Sequence, residues 1–296
     1  MKMRISKSRG PGSPRVAGFH EPDTGSIQYV AVCPGTGRAV LIDVVQGFDP
    51  RSFATDMAPA QAVLDWVRAE GLEVEWVLDT HPHADHLMAS AWLKDRTGAP
   101  NAIGERVRGI ASLWRELYNM PDLDPAPHFD RLFADGDTFG VGECDVRVMF
   151  SPGHTLGSIT YVMGDAAFAH DTFMQPDAGT ARCDFPGGSA AQLYDSMQAI
   201  LALPDDTRVF VGHDYGTENR KEPAWESTVA EQKASNKHLG GGTPKDEYVR
   251  LREARDATLP LPARMLAALQ VNLRGGRLPE PEGDGHRYLK LPLNRF

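Results

Sequence analysis

The run Thr80-His81-Pro82-His83-Ala84-Asp85-His86 places four metal-ligating side chains within six residues, in the pattern H-x-H-x-D-H. Neutral imidazole suits borderline metals, and a carboxylate adds charge and hardness. The run follows Val74-Glu75-Trp76-Val77-Leu78, which reads as a buried strand, and precedes an apolar, helix-like stretch from Leu87 to Leu93. The ligands therefore fall on a strand-to-helix turn, where loops carry chemistry on a rigid scaffold. A solvated His-rich loop is the bland alternative. It is disfavoured because further ligand candidates recur downstream in suitable contexts.

Those candidates are His154 in Ser151-Pro152-Gly153-His154-Thr155, Asp171 in Ala169-His170-Asp171-Thr172, and His213 in Val211-Gly212-His213-Asp214-Tyr215. Each comes just after a short β-rich run: Val146–Phe150, Ala166–Ala169 and Arg208–Val211. Strand ends converging at one sheet edge would bring all of them together. Any one alone is weak, since a lone histidine is usually a satisfied core or surface residue. His20, His128, His170, His238 and His286 lack such a setting and read as structural or surface residues.

Around this cluster, 296 residues with 41% hydrophobic content suffice for one large domain. A formal charge of −9 argues against a nucleic-acid binder, which would show a basic face. No apolar run approaches the roughly 18 residues of a membrane span. Residues 1–15, with Lys2, Arg4, Lys7, Arg9 and Arg15 among Gly and Pro, read as a disordered basic tail. Residues 16–296 read as a single domain, of which 222–296 form a helical and loop extension. Cys33, Cys144 and Cys183 are too few and scattered for a disulfide framework, so a reducing cytoplasm is the simplest setting. Arg182 beside Cys183 could lower that thiol's pKa. Oligomeric state, including a homodimer, is left open.

Ile27–Val32 and Arg38–Val45 read as a hairpin around Cys33-Pro34-Gly35-Thr36-Gly37. Ala58–Glu70 and Gly104–Tyr118 have helical apolar spacing. Residues 171–188 form a long irregular loop, of the kind that is often functional. Ser189–Leu203 reads as a helix capped by Ser189, and Glu222–Gln270 as two or three helices, one started by Thr243-Pro244.

Seven ligand candidates result: His81, His83, Asp85, His86, His154, Asp171 and His213. They could hold two metals bridged by Asp171, which would generate hydroxide for hydrolysis. They could equally hold one metal on a 2-His-1-carboxylate face with three open positions, which suits Fe(II) and O2. Zinc cannot do the second job, being d10 without redox chemistry.

The constellation resembles the metallo-β-lactamase superfamily from about Ile27 to Tyr215. The resemblance implies an α/β fold, an αββα sandwich with the metal at one edge, here with a C-terminal helical appendage. Gly179-Thr180-Ala181-Arg182-Cys183-Asp184-Phe185 looks like the Gly-x-x-Arg-x-Asp-Phe loop of the persulfide dioxygenase (sulfur dioxygenase) branch, which is related to glyoxalase II. Gly212-His213-Asp214-Tyr215 resembles that branch's His-Asp-Tyr motif, and Arg287–Asn294 its longer bacterial C-terminus. His170-Asp171 departs from the usual Gly-Asp.

The resemblance implies one Fe(II) per chain on His81, His154 and Asp171. His83, Asp85, His86 and His213 would be outer groups or ligands of a second metal. The implied reaction oxidises glutathione persulfide with O2 and water to sulfite and glutathione. Arg182 would bind a substrate carboxylate, and Tyr215 would donate a hydrogen bond at the site. The runner-up is a dinuclear Zn(II) hydrolase, either a glyoxalase-II-like thioesterase or a lactonase. A sulfide- or metal-sensing protein is the non-enzymatic alternative.

Overall fold

The structure is a computed structural model and describes residues 1–295. Strands β1 (Lys2–Ser6), β2 (Arg15–His20), β3 (Ile27–Val32) and β4 (Arg38–Ile42) form an antiparallel meander. Then come β5 (Val45–Phe48), β6 (Thr55–Asp56), α1 (Ala58–Ala69) and β7 (Glu73–Leu78), which lies parallel to β4. β8 (Leu87–Met88), α2 (Ser90–Thr97), β9 (Asn101–Gly104), α3 (Val107–Tyr118) and β10 (Arg131–Phe133) finish the first half. The second half opens with β11 (Thr138–Val141), β12 (Cys144–Phe150), β13 (Ile159–Met163) and β14 (Ala166–His170), all antiparallel. It continues through α4 (Ala190–Leu201), β15 (Arg208–Val211), β16 (Glu226–Thr228), α5 (Val229–Ser235), α6 (Lys245–Asp256) and α7 (Met265–Asn272).

These strands make a seven-stranded sheet, β1-β2-β3-β4-β7-β9-β10, and a six-stranded sheet, β11-β12-β13-β14-β15-β16. A small β6-β5-β8 sheet lies beside them. Val40, Ile42, Leu78 and Phe133 of the first sheet meet Val146, Val148, Tyr161 and Phe168 of the second in one buried core. The opposite face of the first sheet, with Val30, Leu41 and Val77, is covered by Val63, Leu64 and Val67 of α1 and Leu93 of α2. Strands buried on both faces read as continuous apolar runs, which is why Ile27–Val32 is so legible. The result is a mixed α/β sandwich with helices outside two sheets.

The sheets are also joined by hydrogen bonds beside the ligand-bearing turns. Ile27 N donates to Gly212 O at 2.8 Å, and Asp214 N to Gly25 O at 2.9 Å. The Tyr29 hydroxyl donates to Val211 O at 2.5 Å, and the Tyr161 hydroxyl to Asp79 O at 3.0 Å. The edge where the turns emerge is thereby the stitched edge.

Several expectations need correction. Residues 1–15 are not a free tail, because β1 pairs with β2 and the fully buried Arg208 guanidinium gathers the segment between them. That side chain donates to Ser6 Oγ, Lys7 O, Ser13 Oγ and Pro14 O, and pairs with Asp165 at 2.6 Å. Arg38–Val45 is not one strand: Asp43, at φ 50°, breaks it and sends Val45 into the small sheet. Leu87 and Met88 are a strand paired with that segment, and the helix begins only at Ser90. The segment after Glu222 is not wholly appended, since β16 pairs with β15 in the second sheet. Pro244, not Thr243, is the cap residue of α6. Ser189 caps α4 as expected, accepting from Gln192 N.

The Arg208 anchor generates a test. Asp165→Ala leaves a buried cation uncompensated, a class of change that costs about 3–5 kcal/mol. Limited proteolysis should then release residues 1–14 sooner than in wild type. Burial raises the Asp165 carboxyl, but Arg208 outweighs it and holds it below its ordinary value of 3.8. A depressed folded pKa adds stability above the unfolded pKa and loses it as pH falls through the folded value. The gap in Tm between wild type and Asp165→Ala should therefore shrink below about pH 4. A constant gap down to the lowest pH at which both fold would contradict this origin.

Candidate metal centre

Each ligand-bearing residue leaves a strand end at the stitched edge. β7 delivers His81, His83, Asp85 and His86; β12 delivers His154; β14 delivers Asp171; β15 delivers His213. Backbone proximity demands glycine at Gly212, where a Cβ would sit 2.6 Å from Asp171 Oδ1. Gly153 lies at φ +134°, and a Cβ there would sit only 2.2 Å from Leu193 N.

The structure brings all seven candidates together. Asp171 Oδ2 lies 3.6 Å from His81 Nε2 and 3.7 Å from His154 Nε2. Its Oδ1 meets His213 Nδ1 at 2.6 Å, and His213 Nε2 meets Asp85 Oδ2 at 2.6 Å. Potential ligand atoms of His81, His83 and Asp171 lie within 4.8 Å of one another, as do those of His83, Asp85 and His86. His81 Nε2, both nitrogens of His83, His86 Nε2 and His213 Nε2 are buried without hydrogen-bond partners. Unpaired buried nitrogens are costly and rare, and a bound cation would satisfy them. The donor set fits a metal ion.

Outer contacts select which nitrogen faces inward. His154 Nδ1 lies 2.7 Å from Arg182 O, and His81 Nδ1 3.0 Å from Thr80 Oγ1. A donor hydrogen bond from Nδ1 leaves the Nε2 lone pair free for a metal. Asp43, buried on its strand-breaking turn, accepts from Thr80 N and Thr80 Oγ1, both at 2.8 Å, and lies 3.2 Å from His83 Nε2. Asn272 of α7 clasps the turn: its amide donates to His83 O at 2.7 Å and His86 O at 2.8 Å, while its oxygen accepts from Met88 N at 2.8 Å. Neither Asp43 nor Asn272 stands out in the sequence as a site residue. For Asn272 the available signal is a lone Asn inside the apolar run Met265–Leu273, because a buried amide must find partners.

Electrostatics follow from burial and pairing. Burial, then neighbouring imidazoles, hold His81 well below the ordinary histidine range, in the neutral form that binds metals. Burial would also lower His213, but the Asp171 and Asp85 carboxylates outweigh it and raise it well above that range. Burial raises the Asp171 carboxyl, and His213 followed by His154 more than reverses this. Asp79 behind the turn is pushed up to about 8, first by burial and then by Asp43.

His170 stands at φ 40°, a left-handed conformation that favours glycine. Local anchors hold its side chain in place. Its Nε2 lies 3.1 Å from Ser151 Oγ and 2.9 Å from Thr172 Oγ1. Cys183 is buried, and burial followed by Asp256 pushes its thiol up to about 12, so Arg182 does not activate it. Instead Arg182 pairs bidentately with Asp184, both contacts at 2.7 Å, and donates to Pro260 O at 2.7 Å. Tyr215 is 68% exposed and stacks on His213, with ring centroids 5.7 Å apart. A cavity of about 1070 Å³ opens from His154, Asp171 and His213, and its walls include Tyr215, Arg182, Lys237 and Arg255. His238, read as structural, also reaches this cavity and accepts from Thr180 N at 3.0 Å.

This geometry defines a metal-binding α/β sandwich with an open cleft over the metal ligands. Residues 22–213 match the family model of the metallo-beta-lactamase superfamily, and the chain belongs to that superfamily of metallo-enzymes. It is 59% identical over 283 residues to the Beta-lactamase hydrolase-like protein of Xylella fastidiosa strain Temecula1. That match covers 95% of this chain but 65% of the relative's length. It is 39% identical over 280 residues to Glyoxylase B2 of Dictyostelium discoideum, covering 93% of this chain and 96% of that protein. Among solved structures, ETHE1 from Myxococcus xanthus superposes with a TM-score of 0.70 at 29% identity, covering 88% of this chain and 98% of its own. Among the described residues, no helix is long and apolar enough to cross a membrane.

Asn272→Ala should weaken metal binding, since losing an outer contact typically costs about 10–100-fold in affinity. Chelator competition on folded variant, checked by circular dichroism, measures this. Wild-type affinity would show that the turn holds its shape without α7.

Proposed function

We propose that the chain is a mononuclear Fe(II) persulfide dioxygenase that oxidises glutathione persulfide with O2 and water to sulfite and glutathione. The carrying observation is the 2.6 Å hydrogen bond from His213 Nδ1 to Asp171 Oδ1, which engages one oxygen of that carboxylate. Asp171 Oδ2 is left to face His81 and His154, a 2-His-1-carboxylate set. The Gly-x-x-Arg-x-Asp-Phe loop, the His-Asp-Tyr motif and the likeness to ETHE1 from Myxococcus xanthus support the same reading.

Bound Fe(II) with open positions would supply O2 chemistry that zinc lacks. The chain's own residues bind and orient. Phe185 stands edge-on to His154 at 5.3 Å, giving the site an apolar wall that excludes water. The Tyr215 hydroxyl, on a ring stacked over His213, donates a hydrogen bond to substrate. The anionic glutathione moiety needs cations, and Arg182, Lys237 and Arg255 line the cavity. Arg182 is already held by Asp184. Lys237 forms no ion pair among the described residues, so its charge is available. The buried, unbridged cysteines support a reducing cytoplasmic setting.

A dinuclear zinc hydrolase is the second reading. The His83, Asp85 and His86 cluster favours it, as does the likeness to Glyoxylase B2. Metal analysis of anaerobically purified protein separates the two. About one iron per chain is expected of the dioxygenase, because the triad makes one facial site, together with oxygen uptake on glutathione persulfide. Two tightly bound zincs with full thioesterase activity and no oxygen uptake would establish the hydrolase. Lys237→Ala should lower kcat/KM for glutathione persulfide roughly tenfold, the loss of about 1.4 kcal/mol of charge-assisted contact. A small uncharged persulfide should be unaffected, and equal losses on both would remove Lys237 from substrate recognition.

A further inference from the structure

We infer that the buried Arg252–Asp256 pair of α6 positions His154 for the metal by gripping the main chain on both sides of the carbonyl that orients its imidazole. This rests on the metal-centre reading only in taking His154 as a ligand. Arg252 and Asp256 are 4% and 2% exposed and meet at 2.5 Å. Arg252 donates to Thr180 O at 2.9 Å, and Asp256 accepts from Cys183 N at 2.8 Å. Between these anchors lies Arg182, whose carbonyl oxygen is 2.7 Å from His154 Nδ1.

The loop needs such a grip. Residues 172–188 contain no strand or helix, so no regular ladder fixes the Arg182 carbonyl. Free loop backbone costs about 1–2 kcal/mol per residue to order. Charge-assisted bonds to a peptide N–H on one side and a peptide carbonyl on the other are short and directional. They set the rotation of the intervening peptides as apolar contacts could not. Further contacts steady the same strand of chain: Thr180 N donates to His238 Nδ1, the Thr180 and Tyr248 hydroxyls lie 3.0 Å apart, and the Arg182 side chain reaches Pro260 O. A buried ion pair is a poor source of net stability, whereas its geometric specificity suits positioning. α6 thus acts on the metal through a relay: helix ion pair, loop peptides, Arg182 carbonyl, His154 tautomer. Asp256 and Arg252 touch neither metal nor substrate and are positioning residues.

The test uses the full chain and Zn(II), a diamagnetic probe of the same ligands. Zinc affinity is read by chelator competition, and the His154 tautomer by long-range 1H–15N correlation on the same chain before zinc is added, since zinc on Nε2 would itself fix the proton on Nδ1. Asp256→Asn puts an amide N–H₂ or a neutral oxygen against Arg252 and breaks the pair. It should weaken zinc binding about 10–100-fold and turn His154 from a single Nδ1–H form into a mixture. Arg252→Lys keeps the charge but cannot span Thr180 O and Asp256 together, so it should shift both readouts in the same direction by less. It carries the test if Asp256→Asn does not fold. Tyr248→Phe removes only the Thr180 hydroxyl contact and should shift both readouts less than Arg252→Lys does; a loss equal to that of Asp256→Asn would show general loosening of α6 and overturn the inference. Wild-type affinity and tautomer in Arg252→Lys and in folded Asp256→Asn, alongside a zinc-binding defect in His154→Ala, would overturn the inference alone. Wild-type zinc affinity in His154→Ala would instead overturn the metal-centre reading, and the inference with it.

Discussion

One carboxylate organises this molecule. Asp171 gives Oδ1 to His213 at 2.6 Å and turns Oδ2 toward His81 and His154 at 3.6 and 3.7 Å. An isolated carboxylate buried this deeply would be strongly disfavoured. Its imidazole partners offset that cost, and each partner arrives on a different strand. The pairing therefore requires β7, β12, β14 and β15 to end at one edge. It also requires Gly212, because any side chain there would collide with Asp171. The hydrogen bonds from Ile27 to Gly212 and from Tyr29 to Val211 keep β15 in the register that this contact demands.

Around that centre, the C-terminal helices work as supports. α7 is apolar nearly all round and consequently buried, yet it carries Asn272, which holds the turn between His83 and Met88. α6 carries a buried ion pair that reaches the Asp171 loop. Thus residues more than a hundred positions from the H-x-H-x-D-H run set the shape of the site. Their work is done on main-chain atoms, which side-chain motifs do not advertise.

That division explains what is legible in the chain. The ligands are legible because His and Asp after apolar runs are chemically distinctive, and all seven converge. Strands such as Ile27–Val32 are legible because both faces are buried. Asp43 is not, because an acidic residue inside a β-rich run reads as an exposed strand position, whereas its φ of 50° makes it a turn that supports Thr80. The N-terminal segment reads as disordered because its basic, Gly- and Pro-bearing composition advertises neither the pairing of β1 with β2 nor the Arg208 anchor some two hundred residues away. The loop motif points Arg182 at substrate; its side chain is spent on Asp184 and Pro260, while its carbonyl serves His154. Cys183 reads as activatable beside that arginine, but the nearer influence is Asp256.

The hydrogen bond from His213 to Asp171 Oδ1, which leaves Oδ2 to His81 and His154, is the physical basis for favouring one metal over two. Crystals grown from anaerobically purified protein, with diffraction measured on both sides of the iron absorption edge, test this directly. The expected result is a single iron peak bound by His81, His154 and Asp171, with His213 still against Asp171 and Asp85. Two peaks, the second ligated by Asp85, His86 and His213, would contradict it.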